Sequence, residues 1–106
     1  MDRKTRARLE ARALIVKALA HPTRLFLVEE LSRGTRCVCE LQRMVGADMS
    51  TVSKHLSILK TAGIAEVDKR GAQVYYSLRV PCILKFFGCI EAVLASAATE
   101  RRKAIG

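Results

Sequence analysis

Apolar residues recur at three- and four-residue steps from the start of the chain. Leu9, Ala13, Val16 and Leu19 make one stripe with Arg6, Arg8, Arg12 and Lys17 between them, which predicts a helix over residues 5–19. Pro22 marks a fresh start, because proline is tolerated in a first helical turn. Leu25, Phe26, Val28 and Leu31 then supply a second apolar face, and Gly34 stands where that helix would stop. Thr35 to Val38 is a short β-prone stretch leading into a third helix, Cys39 to Val45, ended by Gly46. Asp48 is placed to cap a fourth helix running to Ala62, with Gly63 beyond it and Val52, Leu56 and Leu59 facing inward. The period then changes from helical to extended. Ile64–Val67 and Gln73–Leu78 read as strands around the basic, glycine-containing tip Asp68-Lys69-Arg70-Gly71-Ala72. Pro81 opens a last helix carrying Ile83, Phe86, Phe87, Ile90, Leu94 and Ala97, which runs into a frayed tail at Glu100–Lys103.

The order helix, helix, short strand, helix, helix, hairpin, helix describes a mainly α fold with a small β-hairpin, a winged helix-turn-helix. The 106 residues leave room for one domain, 1–106, and no repeat, low-complexity run or linker divides them. A chain of this size buries only about 60–65% of its surface alone. The last helix carries more apolar surface than one small core needs, which allows a second subunit.

Charge narrows the partner. Nineteen Lys and Arg against ten Asp and Glu give a net charge of +9, the electrostatic footprint of a nucleic-acid-binding domain. No apolar run approaches the ~20 residues a membrane span needs, and no apolar segment of signal-peptide type follows the charged N-terminus, so a cytoplasmic protein is expected. In a reducing compartment the four cysteines read as free thiols, metal ligands or redox switches rather than structural disulfides.

In a helix-turn-helix the second helix enters the major groove with its N-terminal residues at base edges. Here that helix offers Ser50, Thr51, Ser53, Lys54 and His55, with Lys60 further along. Hydroxyls donate or accept at any base, the Thr methyl can meet a thymine methyl, and Lys reaches guanine acceptors. His55 beside Leu56 also suits packing against the core. Lys69 and Arg70 at the hairpin tip suit phosphate or a narrow minor groove.

Five segments then carry a specific likeness: Leu19-Ala20-His21-Pro22-Thr23-Arg24-Leu25, Cys37-Val38-Cys39-Glu40-Leu41, Ser50-Thr51-Val52-Ser53-Lys54-His55-Leu56, Leu59-Lys60-Thr61-Ala62-Gly63-Ile64 and Gly71-Ala72-Gln73-Val74-Tyr75-Tyr76-Ser77-Leu78. Together, and in this order, they resemble the ArsR family of metalloregulatory winged-helix repressors, over about residues 15 to 80. The resemblance implies a homodimer built on the first and last helices. It implies binding to an imperfect inverted repeat of double-stranded operator DNA and release when an inducer binds. It further implies that Cys37 and Cys39 hold trivalent arsenic or antimony, or form part of a larger thiolate set in cadmium and lead sensors.

The residues themselves allow such a site. Two thiols two positions apart at a strand-to-helix junction can converge on one ion, and thiolate is the ligand that soft and borderline ions prefer. The arsenic sensors that this pattern resembles often carry a third cysteine three residues after the second, and here that position is Gln42. Cys82 and Cys89 are the remaining sulfurs, on one face of the last helix but about 10 Å apart at ~1.5 Å rise per residue. Sulfurs sharing one ion lie within about 4.6 Å, so one of the two, not both, would complete a three-sulfur site. If the short strand pairs with the second wing strand so that Cys37 lies near Ser77 and Leu78, Cys82 follows closely and is favoured, with Cys89 still open.

Two other readings remain. The thiols could sense cadmium, lead, an oxidant or a persulfide in the same repressor fold, the last two needing no bound ion. A small thiol enzyme or metal-trafficking protein is the reading from another class. Against an enzyme stands the absence of a Cys/His/Asp set of catalytic spacing, since His21 and His55 are the only histidines and His21 reads as a helix-start residue.

Overall fold

The computed structural model describes residues 1–105. Its elements run α1 (Arg3–Leu19), α2 (Pro22–Leu31), β1 (Arg36–Cys37), α3 (Val38–Val45), α4 (Met49–Thr61), β2 (Ala65–Arg70), β3 (Gln73–Leu78) and α5 (Ile83–Ile105). This is the winged helix-turn-helix order that the polar and apolar pattern predicts, with α3 and α4 as the helix pair and β2–β3 as the wing.

Local chemistry fixes the boundaries. His21 is the N-cap of α2, its Nδ1 accepting from the Thr23 N–H at 3.0 Å, and Pro22 follows in the first turn. Gly46 ends α3 at φ +78°, a left-handed conformation that glycine adopts without a Cβ penalty. Asp48 caps α4, its carboxylate accepting from the Thr51 N–H at 2.7 Å. The Gln42 side-chain amide donates to the Ala47 carbonyl at 2.8 Å and so ties the end of α3 to the turn before α4.

The three strands are antiparallel in the order β1-β3-β2. The wing is longer than the sequence predicts: β2 continues through Arg70, which pairs with Gln73, and only Gly71 and Ala72 make the turn. The short strand departs from expectation too. Cys37 lies opposite Tyr75 rather than beside Ser77 and Leu78, so Cys82 is further from it along the chain. Cys37 is both the last residue of the ladder and the N-cap of α3, which starts at Val38, not Cys39, so β1 ends there. The Glu100–Lys103 stretch is helical to Ile105 rather than frayed; it contains no helix breaker, and its Glu, Arg, Lys and Ala are good helix formers.

The core lies between α2, α3, α4 and the base of the sheet. Leu27, Val28, Leu41, Val52, Leu56 and Leu59 have no exposed surface. From α1 only Ala18 and Leu19 are buried, while the predicted stripe residues Leu9 and Val16 stay exposed. From α5 none is buried; Ile83 and Phe87 lean on the core, and Phe86, Ile90 and Leu94 face outward. Periodicity identifies an apolar stripe but not what covers it. The radius of gyration, 16.9 Å, reflects this projecting helix, since a compact chain of ~100 residues has about 13 Å.

A polar clamp joins α1, α2 and α4. The Arg24 Nε donates to the Ala18 carbonyl at 2.6 Å, and its Nη1 lies 3.0 Å from the His55 Nδ1. The His21 and His55 rings meet with centroids 4.3 Å apart. Burial, then the neighbouring His21, Arg24 and Lys54, push the His55 imidazole below its ordinary pKa.

Two expectations follow from this packing. Leu56→Ala removes a fully buried side chain and should cost about 2–5 kcal/mol in urea unfolding under reducing conditions. His55 makes stability pH-dependent: the unfolded chain binds more protons, so stability present above about pH 6.5 is lost as pH falls through the lowered folded value. The urea midpoint should therefore drop between about pH 7.5 and about pH 5, and His55→Gln should flatten that slope.

Candidate nucleic-acid interface and thiol site

Helix α4 is divided lengthwise by its pattern. Val52, Leu56 and Leu59 hold it to the core, which leaves Ser50, Thr51, Ser53 and Lys54 exposed along its first two turns and Lys60 exposed near its end. The N-terminus is orderly: bonds from Thr51 and from the Ser50 hydroxyl (2.9 Å) hold the Asp48 carboxyl below the usual carboxylate range. Ser50 keeps its acceptor lone pairs free, as does a hydroxyl whose proton alone is committed. His55 differs from its neighbours. It is half-buried with Nδ1 engaged by Arg24, so the structure places it in the clamp rather than among the free polar groups of the exposed face.

At the wing, Lys69 and Arg70 are both exposed. Arg70 is held along the hairpin, its Nε 2.9 Å from the Asp68 carboxylate and its guanidinium carbon 4.6 Å from the Tyr75 ring centroid. The structure thus sets two hydroxyl- or cation-bearing surfaces, the start of α4 and the wing tip, on separate elements of the same fold. A helix of this kind offers hydrogen-bond donors and acceptors to base edges, while a wing cation serves phosphate or a narrow groove.

The cysteines fall into two groups. Cys37 is buried, and its sulfur accepts from the Glu40 N–H at 3.3 Å while the Glu40 carboxylate accepts from the Cys37 N–H at 3.3 Å. This is a capping box with a sulfur in the place usually held by a Ser or Thr hydroxyl. Cys39, two residues on, is half-buried with its sulfur 3.9 Å from the Gln73 side-chain oxygen of β3. The Cys37 and Cys39 sulfurs are joined as a disulfide, with Cα atoms 5.4 Å apart, where the sequence reads free thiols, metal ligands or redox switches; two residues apart at a helix entry, they are close enough to bond to each other. Cys82 and Cys89 are free and exposed, and among the described residues no group of three or more His, Cys, Asp or Glu side chains gathers as an ion site. The structure therefore joins the first two sequence-predicted sulfurs and leaves the other two apart from them.

Three features escape the sequence reading. The Cys37-x-x-Glu40 capping box has a visible signature once Cys is read as a hydroxyl analogue. The Gln42 tie has none because a side-chain bond to a backbone carbonyl leaves no mark on its partner's identity, and the Arg24–His21–His55 clamp has none because it spans 31 positions.

Comparison with known proteins bears on the family and the fold. Residues 21–67 match the family described as "Bacterial regulatory protein, arsR family". The chain is 42% identical over 67 residues to a cadmium resistance transcriptional regulatory protein, CadC homolog, of Staphylococcus aureus, covering 62% of this chain and 55% of that one. It is 37% identical over 78 residues to the biofilm growth-associated repressor of Xylella fastidiosa, covering 70% and 68%. The solution structure of the homodimeric winged helix-turn-helix domain Mb0332 of Mycobacterium bovis superposes with a TM-score of 0.78 at 26% identity, covering 94% and 93%. The chain spans about half the length of the first curated relatives it matches, at 55% and 52%. On the strength of the matched segment, the relatives and the shared fold, the chain belongs to the arsR family of bacterial regulatory proteins.

Proposed function

We propose that this chain is a transcriptional repressor that binds double-stranded operator DNA as a homodimer and releases it when trivalent arsenic or antimony is taken by Cys37 and Cys39. The observation that carries the reading is the position of the sulfur pair. Cys37 caps α3, the helix on which the turn into α4 is built, so chemistry at the sulfur acts on the support of the DNA-reading helix. An ion drawing on the Cys37 sulfur competes with its bond to the Glu40 N–H and changes how α3 starts. Release follows by linkage: the ion loosens DNA binding only as far as it binds the DNA-free form better.

Thr51, Ser53 and Lys54 are assigned to base edges, and Lys60, Lys69 and Arg70 to phosphate or the minor groove. Ser50 shares the first task with its acceptor lone pairs. His55 acts from behind, through the clamp. The exposed stripes of α1 and α5 supply the dimer contact, which would set two reading helices on half-sites about 34 Å apart along the inverted repeat. The homodimeric M. bovis domain supports this assembly. No helix among the described residues is long and apolar enough to cross a membrane, and a cytoplasmic setting suits a DNA-binding chain.

Once a thiol reductant has supplied two electrons and two protons to the Cys37–Cys39 bond, the two thiols would offer a two-sulfur chelate. A third sulfur from Cys82 or Cys89 requires α5 to approach α3, or the second copy to lend one. A second reading, favoured by the direct contact of the two sulfurs and by the cadmium resistance relative, makes the pair a cadmium or lead sensor or a dithiol switch. In the switch the two thiols surrender two protons and two electrons to a peroxide or polysulfide oxidant as the S–S bond forms.

On an operator selected from random duplexes, arsenite should release the reduced protein at a lower dose than cadmium or peroxide. Cys37→Ser with Cys39→Ser should keep DNA affinity within about threefold, less than the loss of one good contact, and abolish release. Unchanged arsenite release in that double variant would sink the proposal, and a lower effective dose of cadmium or oxidant would transfer it to the second reading. The dimer has its own check. Leu94→Asp, at a side chain 56% exposed in one chain, should shift sedimentation to monomer and weaken operator binding without unfolding the core.

A further inference from the structure

A groove of about 620 Å³ runs between α1 and the second half of α4. Its volume lies within the ~300–1,000 Å³ range of small-molecule sites, and its surface is mostly apolar, as such sites are. Leu14, Ile15, Ala18 and Ile58 form apolar walls, Lys17 and Arg24 supply two cations, and no Asp or Glu lines it. Arg24 is not a loose surface charge. Its Nε is spent on the Ala18 carbonyl and its Nη1 on His55, which fixes the guanidinium plane beside the groove before anything binds.

We infer that this groove binds a small amphipathic anion, an apolar body with a single carboxylate or sulfonate head, with the head toward Arg24 and Lys17 and the body along Leu14, Ile15 and Ile58. Charge complementarity selects the occupant. A neutral apolar molecule would leave two cations uncompensated at the wall, and a hydrated inorganic anion would leave the apolar walls wet. Duplex phosphate is a poor fit for the same reason, and the base-reading residues Ser50–Lys54 occupy the other half of α4. A second copy of the chain is met by a different face of α1. At about 100° per residue, Leu9 and Val16 lie across the helix from Leu14 and Ala18, with Ile15 on the flank between, so docking on the exposed Leu9–Val16 stripe leaves the Leu14–Ala18 side of the groove open. An occupant here would touch α1, α2 through Arg24, and α4 together, and so would bias the angle between the DNA-reading helix and the helix assigned to the dimer contact.

The test uses the reduced full chain with decanoate and 1-decanol as probes, followed by amide shifts in nitrogen–proton NMR spectra and by sedimentation. Saturable shifts at Ala18, Ile58 and Ala62 are expected, with decanoate about tenfold tighter than decanol, the worth of one charge-assisted contact. Lys17→Glu should weaken decanoate about tenfold and leave decanol unchanged, while Ile58→Asp should weaken both. Equal affinity for the two probes, or shifts that map away from the groove, would overturn the assignment. So would loss of the assembled form on adding decanoate, which would give the groove to a second copy. Displacement of decanoate by random-sequence duplex with the same Lys17 dependence would give the cations to phosphate and overturn it as well.

Discussion

Every group that α4 presents outward is aimed by three groups that it presents inward. Val52, Leu56 and Leu59 are wholly buried against a core supplied by α2, α3 and the base of β2, and their spacing sets the rotation of the helix about its own axis. Ser53 and Lys54 point to solvent because Val52 and Leu56 do not. The same seating makes α4 sensitive to its neighbours. Interiors pack too densely for α3 to shift without either α4 following or a void opening beneath Leu56. A device that controls DNA reading in so small a fold therefore has no need to touch α4; it has only to act on α3.

Cys37 stands at that place, with one sulfur in two roles. As an N-cap it satisfies a helix donor that would otherwise lack an intrahelical partner, and as one of a pair it is bonded to the Cys39 sulfur; a ligand or redox role belongs to the proposed function alone. Glu40 closes the box from the other side and also lies 3.7 Å from Arg36, which links the pair to the strand before it.

The sequence was most informative where a residue's neighbours are close along the chain. The caps at His21 and Asp48, the glycine end at Gly46 and the inward stripe of α4 are all decided by side chains within one or two turns. It was less informative where the partner is distant. The register that puts Cys37 opposite Tyr75 depends on where α3 starts, and the engagement of His55 by Arg24 spans 31 positions. The stripes of α1 and α5 were visible as amphipathic patterns, yet periodicity alone could not say that Leu9, Val16 and Leu94 would lie outside the core. Among the sites, the Cys37–Cys39 association was legible because the residues are two apart. The relation of Cys82 and Cys89 to it was not, because it turns on where a largely unpartnered helix lies.

Gln42 occupies the position at which a third sulfur would have been expected, and its amide spans the turn to the Ala47 carbonyl. A cysteine there has neither the length nor the strong donor to make that bond, which is worth about 0.5–1.5 kcal/mol. The side chain at this position thus serves the turn between α3 and α4, and under the proposed function it could not also serve an ion. On the ion-binding reading proposed above, a sulfur at position 42 would add a ligand at the expense of the tie that stiffens the turn between α3 and α4.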